Sequence, residues 1–155
     1  MDGVPHGVVI RPPRPDEGER LREIAIDAKA HWGYDREWVR SWAAQGDFSP
    51  EALSSKPVLV AEAGDRVVAF AMLIPRGDLA WLDDLWVEPP WIGRGVGKKL
   101  FEAATARARE LGARRMEWEA ELNAVGFYEK VGGTYIRDSE VTELGRVLPI
   151  MGLDL

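Results

Sequence analysis

The chain has 155 residues, a formal net charge of −6, two histidines and no cysteine. This length suits one folded domain with a real core, so we expect a single domain over residues 1–155. The lack of cysteine excludes disulfides, thiol nucleophiles and thiolate metal sites, and His6 and His31 are too far apart in sequence to suggest a metal site. The N-terminus does not resemble a signal peptide, and no apolar run approaches the ~20 residues that span a bilayer. We therefore expect a cytoplasmic protein with no membrane partner, and the acidic charge argues against nucleic acid.

The first half of the chain predicts strands around two helices. Asp16 and Glu19 have the spacing of a capping box, which predicts the start of a helix that Gly33 ends. Asp35 is a candidate N-cap of a second helix. The predicted strands are Val8–Arg11 at a sheet edge, Val58–Ala63, Arg66–Pro75 and Leu79–Val87.

The second half predicts two more helices and three strands. Apolar residues recur at helical spacing from Val96 until Gly112, and Asn123 is a candidate N-cap of a short helix that Gly132-Gly133 ends. The predicted strands are Arg115–Glu121, Thr134–Val141 and Leu148–Leu155. The order β-α-α-β-β-β-α-β-α-β-β predicts an α/β fold, with a mixed, mostly antiparallel sheet flanked by helices and one parallel junction around the long helix.

A glycine-rich turn, Gly93-Arg94-Gly95-Val96-Gly97-Lys98, lies between a predicted strand and that long helix. The segment Arg94–Arg115 carries seven basic and two acidic residues within an otherwise acidic chain, which suits a small polyanionic ligand. Glycines let a backbone approach a ligand, and the start of a helix favours phosphate. The turn is not a P-loop, because Ile92 and Lys99 stand where glycine and Ser or Thr are needed, and it also fails the dinucleotide fingerprint.

Two motifs carry a resemblance to a known family. Leu85-Trp86-Val87-Glu88-Pro89 followed by the glycine turn resembles the coenzyme A signature of the GNAT superfamily of N-acetyltransferases. Asn123-Ala124-Val125-Gly126-Phe127-Tyr128-Glu129-Lys130-Val131-Gly132 resembles a second motif of that family. The chain departs from the pattern at Ile92, where the family has Gln or Arg, so one side-chain contact to the cofactor is in question and Arg94 is a candidate to replace it.

The resemblance implies acetyl-CoA as co-substrate, with no metal, and a twisted sheet typical of the family. It also implies direct attack by the acceptor amine in a ternary complex, which needs no enzyme nucleophile. The residues that it assigns to cofactor binding are Leu85, Trp86, Val87, Gly93, Arg94, Gly95, Val96, Gly97, Lys98, Asn123 and Tyr128.

Candidate catalytic groups are a phenol and three carboxylates. The resemblance makes Tyr128 the acid that protonates the departing thiolate. Asp83 and Asp84 lie on opposite faces of a predicted strand, and both faces are otherwise apolar. Each carboxylate is therefore expected among apolar side chains, an environment that favours a general base. A β-bulge would explain the double Asp, and the sequence leaves open which of the two is the base. Glu119 is the runner-up, although the row Glu117, Glu119 and Glu121 is more typical of a solvated face.

The acceptor pocket is expected near the turn between the first two helices. His31, Trp32 and Tyr34 lie there, and together with Asp83 they are candidate substrate-binding residues. Trp38 and Trp42 have the i, i+4 spacing of ordinary core packing.

These patterns together predict an N-acetyltransferase that acts on a small-molecule amine or an exposed amino group. The alternative is a non-catalytic acyl-CoA-binding or regulatory module with the same fold. The family also makes a homodimer through the C-terminal strands a candidate assembly.

Overall fold

The computed structural model describes residues 7–142 and 145–155. The helices are α1 (Gly18–His31), α2 (Arg36–Ala44), α3 (Pro50–Ser55), α4 (Val96–Glu110) and α5 (Val125–Lys130). The strands are β1 (Val8–Arg11), β2 (Val58–Ala63), β3 (Arg66–Arg76), β4 (Leu79–Val87), β5 (Arg115–Glu119), β6 (Thr134–Asp138) and β7 (Pro149–Asp154).

The seven strands form one sheet in the order β1-β2-β3-β4-β5-β7-β6. Strand β4 runs parallel to β5, whereas the pairs β1–β2, β2–β3, β5–β7 and β6–β7 are antiparallel. Because α4 connects the two parallel strands, the predicted parallel junction around the basic helix is confirmed. The mixed, mostly antiparallel α/β fold is confirmed with it.

Two local predictions in the first half of the chain are wrong. Asp16 and Glu19 do not form the capping box: Glu17 instead accepts a hydrogen bond from the backbone N–H of Arg14 at 2.6 Å. Helix α3 was not predicted, although Ser49 caps it by accepting from the Ala52 N–H at 3.2 Å. Such a cap followed directly by proline is the usual start of a helix, so the signal is present in the sequence.

The remaining predicted caps and boundaries agree with the structure only in part. Asp35 caps α2 as predicted, accepting from the Trp38 N–H at 3.0 Å. Asn123 is not an N-cap, because it lies in a 3₁₀ turn and α5 begins at Val125. The strands predicted to reach Glu121 and Val141 end at Glu119 and Asp138.

The chain divides into two compact units. The first holds the described residues up to Met72 together with Asp84–Ala104, and its core cluster includes Leu21, Ile24 and Phe70. The second holds Leu73–Asp83 and Thr105–Leu155, with Met116, Trp118 and Met151 fully buried. The expectation of a single domain stays a prediction. Within the described ranges, no helix has the length and apolar character needed to cross a membrane.

Candidate active site

The turn before α4 has the backbone that a phosphate cradle requires. Gly93 and Gly95 have φ of +79° and +84°, in the left-handed region that side chains other than glycine rarely adopt. A Cβ atom on Gly93 would meet nothing within 4 Å, so its glycine is required by conformation and not by crowding. The turn leads straight into the 15-residue helix α4, and the first N–H groups of a helix lack intrahelical acceptors and carry the positive end of its dipole.

Basic side chains flank this turn. Arg94 and Lys98 are exposed, and the Arg94 guanidinium lies 4.3 Å from the centre of the Trp91 ring, which restrains it beside the glycines. Lys99 is directed elsewhere, since its Nζ donates to the Val8 carbonyl at 2.5 Å. The N–H groups of a helix start and two exposed cations suit a pyrophosphate, whereas the Ile92 side chain can offer only apolar contact.

The neighbouring strand β4 positions Asp84. The Trp86 indole N–H donates to Asp84 Oδ1 at 2.9 Å, and both side chains are half-buried. The Trp86 ring packs against the core cluster and meets Trp42 edge-on at 5.9 Å between ring centroids. The carboxylate is therefore held by a donor that is itself fixed by packing.

The other aspartate of the pair has different surroundings. Asp83 is exposed, so the expectation that each carboxylate lies among apolar side chains is wrong for Asp83. The pairing of β4 with β5 covers Leu79–Trp81, and both aspartates lie beyond it. Leu85 and Val87 are half-buried, and the proposed bulge stays a prediction.

Glu88, directly after β4, is a buried carboxylate that sequence reasoning did not single out. It is 8% exposed and bonds to Arg20 at 2.5 Å and to Arg66 at 2.9 Å. Burial raises the pKa of Glu88, but the hydrogen bonds from Arg66 and Arg20 outweigh it, and the net pKa lies below the ordinary glutamate value. Its backbone N–H also donates to Val68 O at 2.8 Å, so Glu88 joins α1 to β3.

In the second unit, Tyr128 is buried on α5. Its ring centre lies 4.9 Å from that of Trp118 and 5.2 Å from that of Phe127. The Tyr128 carbonyl accepts from the Gly133 N–H at 2.8 Å. A Cβ atom on Gly133 would lie 2.7 Å from the Trp118 ring and 3.0 Å from the Tyr128 carbonyl oxygen, so glycine is required for this close approach. Asn123 is exposed.

The glutamates of β5 do not share one environment. Glu119 is exposed, but Glu117 is 8% exposed and accepts from Arg115 at 2.8 Å and from Arg137 at 3.4 Å. The hydrogen bond with Glu117 also raises the pKa of Arg115. The interpretation of the row as a solvated face is thus wrong for Glu117.

The turn between α1 and α2 borders a surface cavity of about 590 Å³. His31 and Tyr34 line it, and exposed His31 touches Trp32 edge-on at 4.8 Å between ring centroids. The remaining lining includes Asp27, which pairs with Arg36 at 2.9 Å. Two of the predicted acceptor contacts therefore share one cavity, and Trp32 contacts one of them.

Beside this turn, one lysine faces four aromatic rings. The Lys29 ammonium lies within 6 Å of the ring centres of Tyr34, Trp38, Trp42 and Trp86, and closest to Trp42 at 4.2 Å. Trp42 packs against the core cluster as predicted, but it also faces Lys29. Sequence reasoning missed Lys29, because Trp86 is far from it along the chain and no spacing rule connects them.

The acidic and histidine side chains of the described residues are not clustered as metal ligands. Within residues 7–142 and 145–155, no group of three or more His, Asp or Glu side chains could hold a metal ion. His6 lies outside the described residues.

The sheet is mixed, and the glycine turn lies between strand β4 and helix α4, which connects β4 to the parallel strand β5. Solved acetyltransferase structures share this fold. Residues 19–133 match the family model of the Acetyltransferase (GNAT) family, and the chain belongs to that family. The predicted family and fold are confirmed, and with them the general class of acyltransferase.

Relatives and solved structures agree with this assignment. The peptidyl-lysine N-acetyltransferase YjaB of Salmonella typhimurium is 33% identical over 148 residues, which cover 93% of this chain and 95% of the relative. The protein of the same name from Escherichia coli is 35% identical over 156 residues, covering 94% and 95%. The PaiA N-acetyltransferase of Thermoplasma acidophilum, solved in complex with coenzyme A, superposes with a TM-score of 0.77 at 23% identity, over 96% of this chain and 99% of that one.

Proposed function

We propose that this protein transfers an acetyl group from acetyl-CoA to a primary amine, and that the amine is a lysine side chain of a peptide or protein. The observation that carries the proposal is the turn with left-handed Gly93 and Gly95 at the start of α4, inside the segment that matches the family. The names of the two relatives that match nearly the whole chain support the choice of acceptor.

The glycine turn is proposed to hold the pyrophosphate of the cofactor. The backbone N–H groups at Val96 and Gly97 would donate to phosphate oxygens, while Arg94 and Lys98 would neutralise charge. Leu85 and Val87 are proposed to contact the pantetheine arm through the backbone of β4, and Asn123 remains a further proposed contact. When bound, acetyl-CoA supplies the acetyl thioester that the reaction consumes.

The acid–base chemistry is assigned to Asp84 and Tyr128. The acceptor ammonium must lose a proton before its nitrogen forms a bond to the acetyl carbon, and Asp84 is the favoured group to receive that proton, directly or through water. The carbon–sulfur bond then breaks, and the Tyr128 hydroxyl would donate its proton to the departing sulfur. Asp83 and Glu119 are exposed, whereas Asp84 is half-buried and held by the Trp86 indole, and this fixed position favours Asp84.

The acceptor is proposed to enter near the turn between α1 and α2. His31 and Tyr34 line a cavity large enough for a side chain, and Trp32 contacts His31. Asp83, exposed on β4, is kept as a further proposed acceptor contact. A homodimer and a cytoplasmic location stay predictions.

The direct experiment is acetyl transfer from acetyl-CoA to a lysine-containing peptide, followed by release of free thiol. We expect initial velocities with intersecting patterns when both substrates are varied, as a ternary complex requires. Tyr128→Phe should lower kcat about 100-fold, the usual scale of a general acid, with little change in KM. Tyr135→Phe is the matched control, because Tyr135 is exposed on β6.

The same experiment separates the enzyme from the non-catalytic alternative. Binding of coenzyme A without transfer to any peptide or small amine would favour an acyl-CoA-binding module. Parallel velocity patterns would contradict direct attack and point to an acetylated enzyme intermediate. An unchanged kcat in Tyr128→Phe would remove Tyr128 as the acid.

A further inference from the structure

Four rings surround the Lys29 ammonium, and we call Tyr34, Trp38, Trp42 and Trp86 the aromatic box. The distances from Lys29 Nζ to their centres are 4.9, 5.5, 4.2 and 5.6 Å respectively. A significant cation–π contact occurs about once per 70–80 residues, so four on one ammonium is a strong concentration. Groups of this kind are a known means of binding alkylammonium ligands.

The box is built to keep its shape. Its members come from the α1–α2 turn, from α2 and from β4, and Trp42 and Trp86 are packed against the core cluster. Tyr34 and Trp38 stack with ring planes 20° apart, while Trp42 and Trp86 meet edge-on. The rings therefore hold each other, and their positions do not depend on Lys29 alone.

The box is also accessible. All four rings and Lys29 are half-buried, and Tyr34 additionally lines the cavity that holds exposed His31. An alkylammonium group that enters this cavity meets the edge of the box at Tyr34. Trp86 connects the box to Asp84 through its indole hydrogen bond.

We propose that the aromatic box is the binding site for the ammonium group of the acceptor, and that Lys29 occupies it in the free protein as an internal competitor. This rests on the proposed function for the identity of the ligand as the acceptor lysine. Lys29 has the same chemistry as that ligand, a primary ammonium on a flexible alkyl chain. When an acceptor binds, Lys29 leaves the box for solvent and the acceptor ammonium takes its place, next to the residue that orients Asp84.

Self-occupation has a measurable consequence. The apparent affinity of a ligand falls by the fraction of protein in which its site is open. Because Lys29 is tethered to the site, that fraction is small, and removing its charge should strengthen binding of an alkylammonium ion about tenfold or more. Replacement by arginine keeps a cation in place and should leave binding weak.

The test uses tetramethylammonium chloride as the probe and tryptophan fluorescence as the readout. We expect Lys29→Met to bind the probe at least tenfold more tightly than the native protein or Lys29→Arg, with sodium chloride at equal ionic strength as the salt control. Trp42→Leu added to Lys29→Met should abolish the gain, and Lys56→Met, at an exposed lysine, should behave like the native protein. Lys29→Gln serves as a second uncharged variant if Lys29→Met does not fold.

A second arm needs no variant. In the native protein the probe should drive Lys29 into solvent, so acetylation of Lys29 by sulfosuccinimidyl acetate should rise about threefold or more relative to Lys56, as measured by peptide mass spectrometry. The proposal would be overturned if an uncharged Lys29 variant bound tetramethylammonium no more tightly than the native protein does. It would also be overturned if acetylation of Lys29 did not change when the probe was added. Acetyl transfer without these effects would leave the proposed function standing. Probe binding without transfer would keep the ammonium site and remove its assignment to an acceptor.

Discussion

Strands β4 and β5 both carry acids whose surroundings differ from one carboxylate to the next. Glu88, directly after β4, and Glu117, on β5, are each 8% exposed and each bonded to two arginines. The arginines of Glu88 come from α1 and β3, 68 and 22 residues away, whereas Arg115 lies on the same strand as Glu117. Glu88 thus bonds to two other elements of the fold, while Glu117 bonds to Arg115 on its own strand and to Arg137 of β6, 20 residues away.

The comparison separates buried acids with a structural role from those suited to chemistry. The hydrogen bonds from Arg66 and Arg20 hold the pKa of Glu88 below its ordinary value despite burial, so Glu88 is a poor proton acceptor. Asp84 is half-buried on β4, and the indole of Trp86 is one of its partners. Burial alone does not identify a base; the partners of the carboxylate decide.

The largest expected effect is on catalysis. Asp84→Asn should lower kcat/KM for a lysine peptide by about 100-fold or more, since loss of a general base commonly costs 10²–10⁴. Asp83→Asn and Glu119→Gln, at exposed positions, should each cost less than about fivefold. Steady-state kinetics of the three variants would show whether β4 or β5 supplies the base, and equal losses in all three would break the distinction.

The next effect is on stability. Glu88→Ala should lower the free energy of unfolding by about 2–3 kcal/mol, because it removes the buried carboxylate that bonds to both Arg20 and Arg66, and Arg20 then keeps the exposed Glu23 and the Val67 carbonyl as partners. A loss of that size corresponds to a fall in Tm of about 5–10 °C. Glu117→Ala should cost about 1 kcal/mol, since Arg115 keeps its bond to Asp154 and Arg137 is largely exposed. Thermal or urea unfolding measures both, and a larger loss for Glu117→Ala would reverse the comparison.

A smaller effect is expected from the donor to Asp84. Trp86→Phe keeps a ring in the aromatic box but removes the indole N–H, so kcat should fall about five- to tenfold with little loss of stability. Trp38→Phe also exchanges an indole of the box for a benzene ring, and it should leave kcat within about twofold. If both variants behave alike, Trp86 acts only through packing.

The smallest effect is a pH dependence. The folded pKa of Glu88 is lowered below its unfolded value, so its contribution to stability is complete above the ordinary glutamate pKa of about 4.3 and is lost as pH falls through the folded value. The difference in Tm between the native protein and Glu88→Gln should therefore be largest near pH 7 and shrink below about pH 4. Glu129→Gln, at an exposed site, should show no such convergence. A difference that stays constant down to pH 3 would contradict the ionic role of Glu88.

Much of the fold could be predicted because the signals are local. The strands Val8–Arg11, Val58–Ala63 and Leu79–Val87 follow the predicted bounds, and the Asp35 cap acts within three residues of its own position. Turns and caps depend on a few neighbouring dihedral angles, so residue type decides them. Near α1 the acidic residues fit more than one capping register, and the sequence pattern does not choose between Glu17 and Glu19 as the residue that accepts from the cap backbone.

The candidate site could be predicted only in part. The glycine turn is a continuous segment, and its left-handed glycines have the conformation that the pattern implies. The exposure of Asp83 depends on what packs over each face of β4, which alternation along one strand does not reveal. The aromatic box joins Trp86 to residues more than 40 positions earlier, so no sequence period contains it.

By itself, the sequence determined the order of the strands, the glycine turn and the family, because each depends on residue type at short spacing. The tertiary structure decided the placement of β7 between β5 and β6, the two arginines on Glu88, and the enclosure of Lys29 by four rings. These features arise when distant segments pack. The charge and burial of a side chain then depend on its neighbours in space, and those neighbours are known only once the chain is folded.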